Sequence, residues 1–206
     1  MLRRTFILGA PAALAACGSG EAIWAPDDQI RAAFARGTQP ASITLYTMLN
    51  TSSDNGAHSS LLINASQRVM FDPAGAFKHP SIPERNDVLF GMNSQVEAYY
   101  VSYHARETYY VEGLQFIVPA EVAEQALALA LVAGPVPKAG CTRSVSTLLQ
   151  QLPGFADTKT TWFPDNLHDQ LKVRPDAKLT VYRENDADDK SQALAALSRD
   201  ITLAAR

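Results

Sequence analysis

Strand-like and helix-like patterns are partly segregated along this chain, and this separation most limits its fold. Between residue 42 and Pro119, the patterned stretches are rich in β-branched and aromatic residues, as in strands. After Pro119, most of them have the apolar spacing of helices. The segregation predicts an α+β fold in which an antiparallel sheet packs against helices.

The predicted strands begin with "SITLYTML" at residues 42–49. "HSSLLIN" and "RVMFDP" are predicted to form a hairpin with "ASQ" near its turn. Four more strands are predicted, of which the middle two form a second pair: "VLFGM", "QVEAYYVSYHARE", "TYYVEGLQFIVP" and "KLTVYREN".

The clearest predicted helix is "AEVAEQALALALVAG", residues 120–134, which ends at Gly134. The other predicted helices are "PDDQIRAAFARG", "CTRSVSTLLQQL", "PDNLHDQL" and "DKSQALAALSRDITLAA".

The N-terminus has the pattern of an export signal. Arg3 and Arg4 precede a short apolar run at residues 6–16 that ends in small residues. "LAAC" resembles the lipobox of bacterial lipoproteins, which implies that residues 1–16 are removed and that Cys17 carries a lipid. "RRTF" is also similar to a weak twin-arginine signal. We therefore expect a lipid-anchored protein of the bacterial cell envelope that faces the periplasm or the cell exterior; ordinary cleavage without lipid is the alternative.

Removal of the signal leaves 190 residues, enough for one domain with a sizeable core. We assign residues 17–41 to an anchor tether with a short helix and residues 42–206 to a single α+β domain. Loss of the two signal arginines lowers the formal net charge from −3 to −5, which argues against nucleic-acid binding.

Cys141 is the only cysteine of the predicted domain, because the other cysteine of the chain is Cys17. It stands at the predicted start of a helix, in "PKAGCTRSVSTLL", where free N–H groups and the helix dipole favour a thiolate. The alternative is an inert core cysteine, since free cysteines are among the most buried residues. A redox role is the weaker reading because the predicted domain has no resolving cysteine.

A nucleophilic cysteine needs a base, and His58 is the candidate because it opens a strand directly after a polar loop. Asp72 ends the other strand of the same hairpin and is predicted to lie opposite His58 and orient its ring. Asp72 followed by proline is equally typical of a simple turn. His104 is predicted to be packed or exposed on a strand, and His79 and His168 to lie on the surface. No histidine pair has metal-ligand spacing with a second cysteine, so neither a metal site nor a cofactor is predicted.

The stretches "GAHSSLLI", "INASQRVMFDP" and "AGCTRSVSTLL" together resemble the circularly permuted papain-like hydrolases related to the NlpC peptidases. That superfamily includes bacterial lipoproteins and the lecithin:retinol acyltransferase group. The resemblance implies a permuted papain-like fold over about residues 42–185, with His58 as base, Asp72 as orienting residue and Cys141 as nucleophile. Because the family often has histidine at the third position, three residues remain alternatives to Asp72: Asn64, Ser66 and Gln67.

These residues predict an envelope-anchored, thiol-dependent hydrolase or acyltransferase that acts on amide, ester or thioester bonds. Kinship with the family implies cell-wall peptides or lipid-type acyl groups as substrates. The alternative is a non-catalytic envelope lipoprotein on the same scaffold that binds peptidoglycan, lipid or a protein partner.

Overall fold

A computed structural model describes residues 22–204 of the chain, and its centre is one antiparallel sheet. The strands are β1 (Ser42–Asn50), β2 (Gly56–Asn64), β3 (Arg68–Phe71), β4 (Glu84–Arg85), β5 (Val88–Phe90), β6 (Tyr109–Ile117) and β7 (Lys178–Tyr182). They are arranged in the order β4-β5-β3-β2-β1-β6-β7, and every neighbouring pair is antiparallel.

Six helices accompany the sheet in the described residues, and the predicted α+β class is confirmed. The helices are α1 (Asp27–Ala32), α2 (Ser94–His104), α3 (Ala120–Val132), α4 (Cys141–Leu149), α5 (Pro164–Lys172) and α6 (Lys190–Ala204). Gly134 follows α3 with a φ of +72°, the left-handed conformation that commonly ends a helix.

The prediction that "QVEAYYVSYHARE" forms a strand is wrong, because this stretch contains most of α2. The Asn93 side chain accepts a hydrogen bond from the Val96 N–H at 2.9 Å and so caps the helix. Val96, Tyr100 and His104 are buried at intervals of four residues, which is helical spacing. The tyrosines that suggested a strand therefore form the packed face of a helix.

The two faces of the sheet are covered by different helices. Because side chains alternate along a strand, Ile43 and Leu45 enter a core that includes residues of α3, α4 and α5, whereas Tyr46 and Met48 enter a core with residues of α2 and α6. The fold thus has three layers, with both faces of β1 buried.

Residues 22–41, the described part of the predicted tether, contact the sheet. The Ala25 N–H donates to the Glu84 carbonyl at 3.0 Å, Asp27 pairs with Arg85, and Arg36 forms a β-bridge with Gln67.

Residues 1–16 and Cys17 lie outside the described residues. Within residues 22–204, no helix has both the length and the apolar character needed to span a membrane.

Candidate active site

His58 lies near the start of β2, next to an irregularity in the pairing of β1 with β2. Met48 pairs with His58 and Leu49 pairs with Gly56, so Ala57 is an extra residue in β2. Such bulges bend a strand and redirect its side chains, and they are common beside active sites. The bulge therefore fixes the direction of the imidazole at the end of a rigid, central part of the sheet.

Asp72 follows β3 directly and holds the ring of His58. Nε2–H of His58 donates to Oδ1 of Asp72 at 2.6 Å, and the aspartate is 3% exposed. The hydroxyl of Tyr100, from α2, donates to the same Oδ1 at 2.8 Å and lies 2.8 Å from the Ser60 hydroxyl oxygen. The carboxylate is thus fixed by β2, β3 and α2 together.

The loop after Asp72 leaves no room for a side chain at Gly75. A Cβ added to Gly75 would lie 1.9 Å from Oδ2 of Asp72, and the Gly75 N–H donates to the Asp72 carbonyl at 2.9 Å. A side chain at this position would therefore displace the carboxylate, and glycine lets the backbone pass this close to it.

The expectation that Asp72 lies directly opposite His58 is wrong in its register. Leu61 pairs with Phe71, and continuation of this pairing places Ser60 opposite Asp72. His58 lies two residues further along the same face, so the hydrogen bond is a diagonal contact between neighbouring strands. Two of the alternatives to Asp72 bond other residues through their side chains, Asn64 to Thr38 and Ser66 to Glu124. Within the described residues, the Gln67 side-chain nitrogen is buried without a hydrogen-bond partner.

Cys141 is the first residue of α4 and is 7% exposed. The helix approaches β2 through a buried contact of 3.1 Å between the hydroxyl oxygens of Thr142 and Ser59. The thiol sulfur lies 3.7 Å from the Thr142 hydroxyl oxygen, and both the His58 side chain and the Ser59 backbone lower the pKa of the thiol. Because Nε2 of His58 is bonded to Asp72, Nδ1 is the ring nitrogen available to the thiol.

The electrostatics of this group favour a thiolate beside an imidazolium. Burial by itself raises the pKa of Cys141, but His58, the Ser59 backbone and Thr142 lower it from 9.0 to about 7. Burial by itself lowers the pKa of His58, but the Asp72 carboxylate and Cys141 raise it to about 10. Burial likewise opposes ionisation of Asp72, yet His58 holds the pKa of that carboxyl below its usual value. The ion pair is therefore the main form between about pH 7 and 10.

His104 is a further member of the site that the sequence analysis missed, because it was assigned to a strand. It is the last residue of α2, and its ring stacks on that of His58 with centroids 6.1 Å apart. Nδ1–H of His104 donates to the Tyr100 carbonyl at 2.8 Å, and burial lowers its pKa to about 4. The ring is therefore neutral at physiological pH. A helical reading of residues 94–104 would have placed it beside Tyr100.

The two remaining histidines lie away from the thiol. His79 is partly exposed and its Nε2 lies 2.8 Å from the Ser198 hydroxyl oxygen. The prediction that His168 is a surface residue is wrong, since it is 3% exposed and its Nε2 lies 2.8 Å from Oε2 of Glu112. The apolar face of α5 carries His168 into the core beside Leu167 and Leu171.

Two depressions flank the site. The first, of about 230 Å³, is lined by His58, His104 and Lys190 together with small residues of the loop after β3. The second, of about 440 Å³, runs along α3 and α4 and is lined by Gly140 and Ser144 on either side of Cys141 in the chain. Space for a substrate therefore exists beside His58 and along α4, where the sequence neighbours of Cys141 line the groove.

Among the described residues, no cluster of three or more histidine, cysteine, aspartate or glutamate side chains is arranged to hold a metal ion. The arrangement that the structure does contain is a thiol, an imidazole and a carboxylate in series.

Comparison with protein-family models, curated protein sequences and solved structures finds no match for this chain.

Proposed function

We propose that this protein is a thiol-dependent hydrolase or acyltransferase, with Cys141 as nucleophile, His58 as acid and base, and Asp72 as the residue that positions His58. The observation that carries the proposal is the 2.6 Å hydrogen bond that holds His58 on the buried Asp72 carboxylate, beside a thiol whose pKa His58 lowers. This is the arrangement required for an activated cysteine whose base is oriented by a third group.

Acylation begins from the thiolate–imidazolium pair. Sγ of Cys141 attacks the carbonyl carbon of an amide, ester or thioester, and the π electrons of the carbonyl move to its oxygen. The first N–H groups of a helix have no partner within the helix, and α4 has no side-chain cap. The Cys141 N–H is therefore a donor for the developing oxyanion.

Collapse of this intermediate re-forms the carbonyl and breaks the bond to the leaving group. His58 gives its Nδ1 proton to the departing nitrogen, oxygen or sulfur and becomes neutral. In the second half-reaction, His58 accepts a proton from water or from an acceptor alcohol or amine as this nucleophile attacks the thioester. Release of Sγ as a thiolate restores the ion pair.

We extend the proposal to a circularly permuted papain-like fold. Two features support it: the chain order of His58, Asp72 and Cys141, and a base on a strand that faces a cysteine at a helix start. Cell-wall peptides or lipid-type acyl groups are the corresponding substrates.

The proposed location is the bacterial envelope, with a lipid on Cys17 as anchor. In cells fed a labelled fatty acid, the wild-type protein should incorporate label and Cys17→Ser should not. Undiminished labelling of Cys17→Ser would refute the anchor without affecting the catalytic proposal.

The central experiment is labelling with a thiol-reactive acyl probe, followed by mass spectrometry to locate the modified residue. We expect rapid labelling of Cys141 in the wild type, none at this position in Cys141→Ala, and slow labelling in His58→Ala. If Cys141 in the folded wild type reacts no faster than free cysteine at pH 6–7, the catalytic proposal fails and a non-catalytic binding lipoprotein becomes the better description.

A further inference from the structure

The pocket beside His58 is lined by one lysine side chain, that of Lys190. Lys190, the first residue of α6, lines this pocket together with His58 and His104. Among the described residues, no carboxylate lies at ion-pair distance from its ammonium group. Nζ instead lies 4.7 Å from the centre of the Tyr103 ring, a cation–π contact.

Carboxylates do occur near Lys190 in sequence, but they are engaged elsewhere. Asp186 pairs with the buried Arg106 at 3.1 Å, and Asp188 accepts hydrogen bonds from the N–H and hydroxyl of Thr108. These contacts attach the segment before α6 to the start of β6. Lys190 is thereby held at the pocket by a segment whose carboxylates bond to other groups and do not reach ion-pair distance from its ammonium.

The remaining walls of the pocket are small or apolar. They comprise Met48, Ala57, Ala74, Gly75, Ala76 and Tyr109. The volume of about 230 Å³ is below the range of about 300–1,000 Å³ that holds drug-sized ligands. The pocket therefore fits a small group, and its charged walls are the ammonium of Lys190 and, in the ion-pair state, the imidazolium of His58.

The chemistry of His58 decides which part of a substrate lies here. His58 must be within hydrogen-bond reach of the leaving atom in order to protonate it. The pocket is lined by His58, whereas the larger groove follows α4 and is lined by Gly140 and Ser144, which precede and follow Cys141 in the chain. The pocket is thus on the leaving-group side, and the α4 groove is on the acyl side.

We propose that Lys190 determines substrate specificity by binding a carboxylate on a small leaving group, such as the amine of an amino acid whose carboxylate is free. This inference rests on the proposed function, because it assigns the two sides of the same thiol. Burial lowers the pKa of Lys190; the Asp188 carboxylate opposes this shift, and the smaller effects of Arg106 and Asp72 act in opposite directions. A bound carboxylate would add an opposite charge at ion-pair distance, which favours the charged form of the half-buried ammonium.

The experiment compares two acetyl thioesters whose leaving groups have nearly the same shape: mercaptoacetate, which carries a carboxylate, and mercaptoacetamide, which is neutral. The ratio of their kcat/KM values is measured for the wild type, Lys190→Gln and Lys190→Arg. Lys178→Gln serves as control, because Lys178 is an exposed residue of β7 away from the pocket. Comparing this ratio between variants removes the intrinsic difference in leaving-group reactivity.

We expect the preference for the anionic ester to fall about 10-fold in Lys190→Gln, the scale of a charge-assisted contact in a partly exposed pocket. The preference should be largely retained in Lys190→Arg and unchanged in Lys178→Gln. Turnover of both esters with a ratio unaffected by Lys190→Gln would overturn this inference alone. Failure of the wild type to turn over either ester would overturn the proposed function, and this inference with it.

Discussion

Replacing Asp72 by asparagine removes one negative charge from the site and keeps the shape of the side chain. The carboxylate accepts the Nε2–H of His58 at 2.6 Å and is buried, so little solvent screens their interaction. Without it, burial disfavours the imidazolium, and the thiolate of Cys141 loses its positive partner. The pKa of the thiol should therefore rise from about 7 toward its ordinary value of 9.0.

The size of this effect follows from the two pKa values. At pH 7, the thiolate fraction falls from about one half to about one in a hundred, so alkylation by iodoacetamide should slow by up to about 50-fold. The corresponding change in free energy is about 3 kcal/mol. The pKa is read from the alkylation rate of Cys141 between pH 5 and 10, on protein that circular dichroism shows to be folded.

Glu112→Gln is the matched control, because Glu112 is also a buried carboxylate beside a histidine but lies away from the thiol. It should leave the alkylation profile of Cys141 unchanged. If the pKa of the thiol in folded Asp72→Asn stays near 7, the carboxylate does not support the ion pair and the assigned role of Asp72 is wrong.

Three further predictions concern the same site. The rate of acylation should rise as the thiol loses its proton at about pH 7 and fall as the imidazolium loses its proton near pH 10. A rate that does not change between pH 5 and 9 would contradict the ion pair. Thr142→Val should lower the free energy of unfolding by about 1–3 kcal/mol, since it leaves the buried Ser59 hydroxyl without this partner. Chemical denaturation measures the loss, and Ser59→Ala in the same protein should recover part of it. Gly75→Ala should displace the Asp72 carboxylate and slow alkylation at pH 7 by about 10-fold; alkylation at the wild-type rate would show that the loop adapts without moving the carboxylate.

The sequence predicts most elements of this fold because their patterns are strong. Alternation identifies β1, and apolar spacing with a terminal glycine identifies α3. Composition misleads at α2, where β-branched and aromatic residues suggest a strand. There the tertiary environment determines the secondary structure, because Tyr100 on the packed face of the helix bonds both Asp72 and Ser60.

The candidate site is also predictable only in part, because tertiary contacts determine the rest of it. The pairing of His58 with Asp72 follows from their shared hairpin, although its diagonal geometry depends on a register that the sequence does not specify. His104 and Lys190 reach the site through helices packed on the sheet. Their positions at the site depend on contacts between segments far apart in the chain, and local sequence patterns do not predict such contacts.

The alternation of side chains along β2 explains how these distant parts meet at one thiol. Ser59 points to the face covered by α4 and bonds Thr142, whereas Ser60 points to the face covered by α2 and contacts Tyr100. His58, on the same face as Ser60, therefore receives its carboxylate and its stacked histidine from the α2 side. Cys141 lies on the α4 side, where the first residues of β2 extend beyond the pairing of this strand with β3. A slip of one residue in the register of β2 would exchange these faces and separate the base from the nucleophile, so the register of one central strand determines whether the site exists.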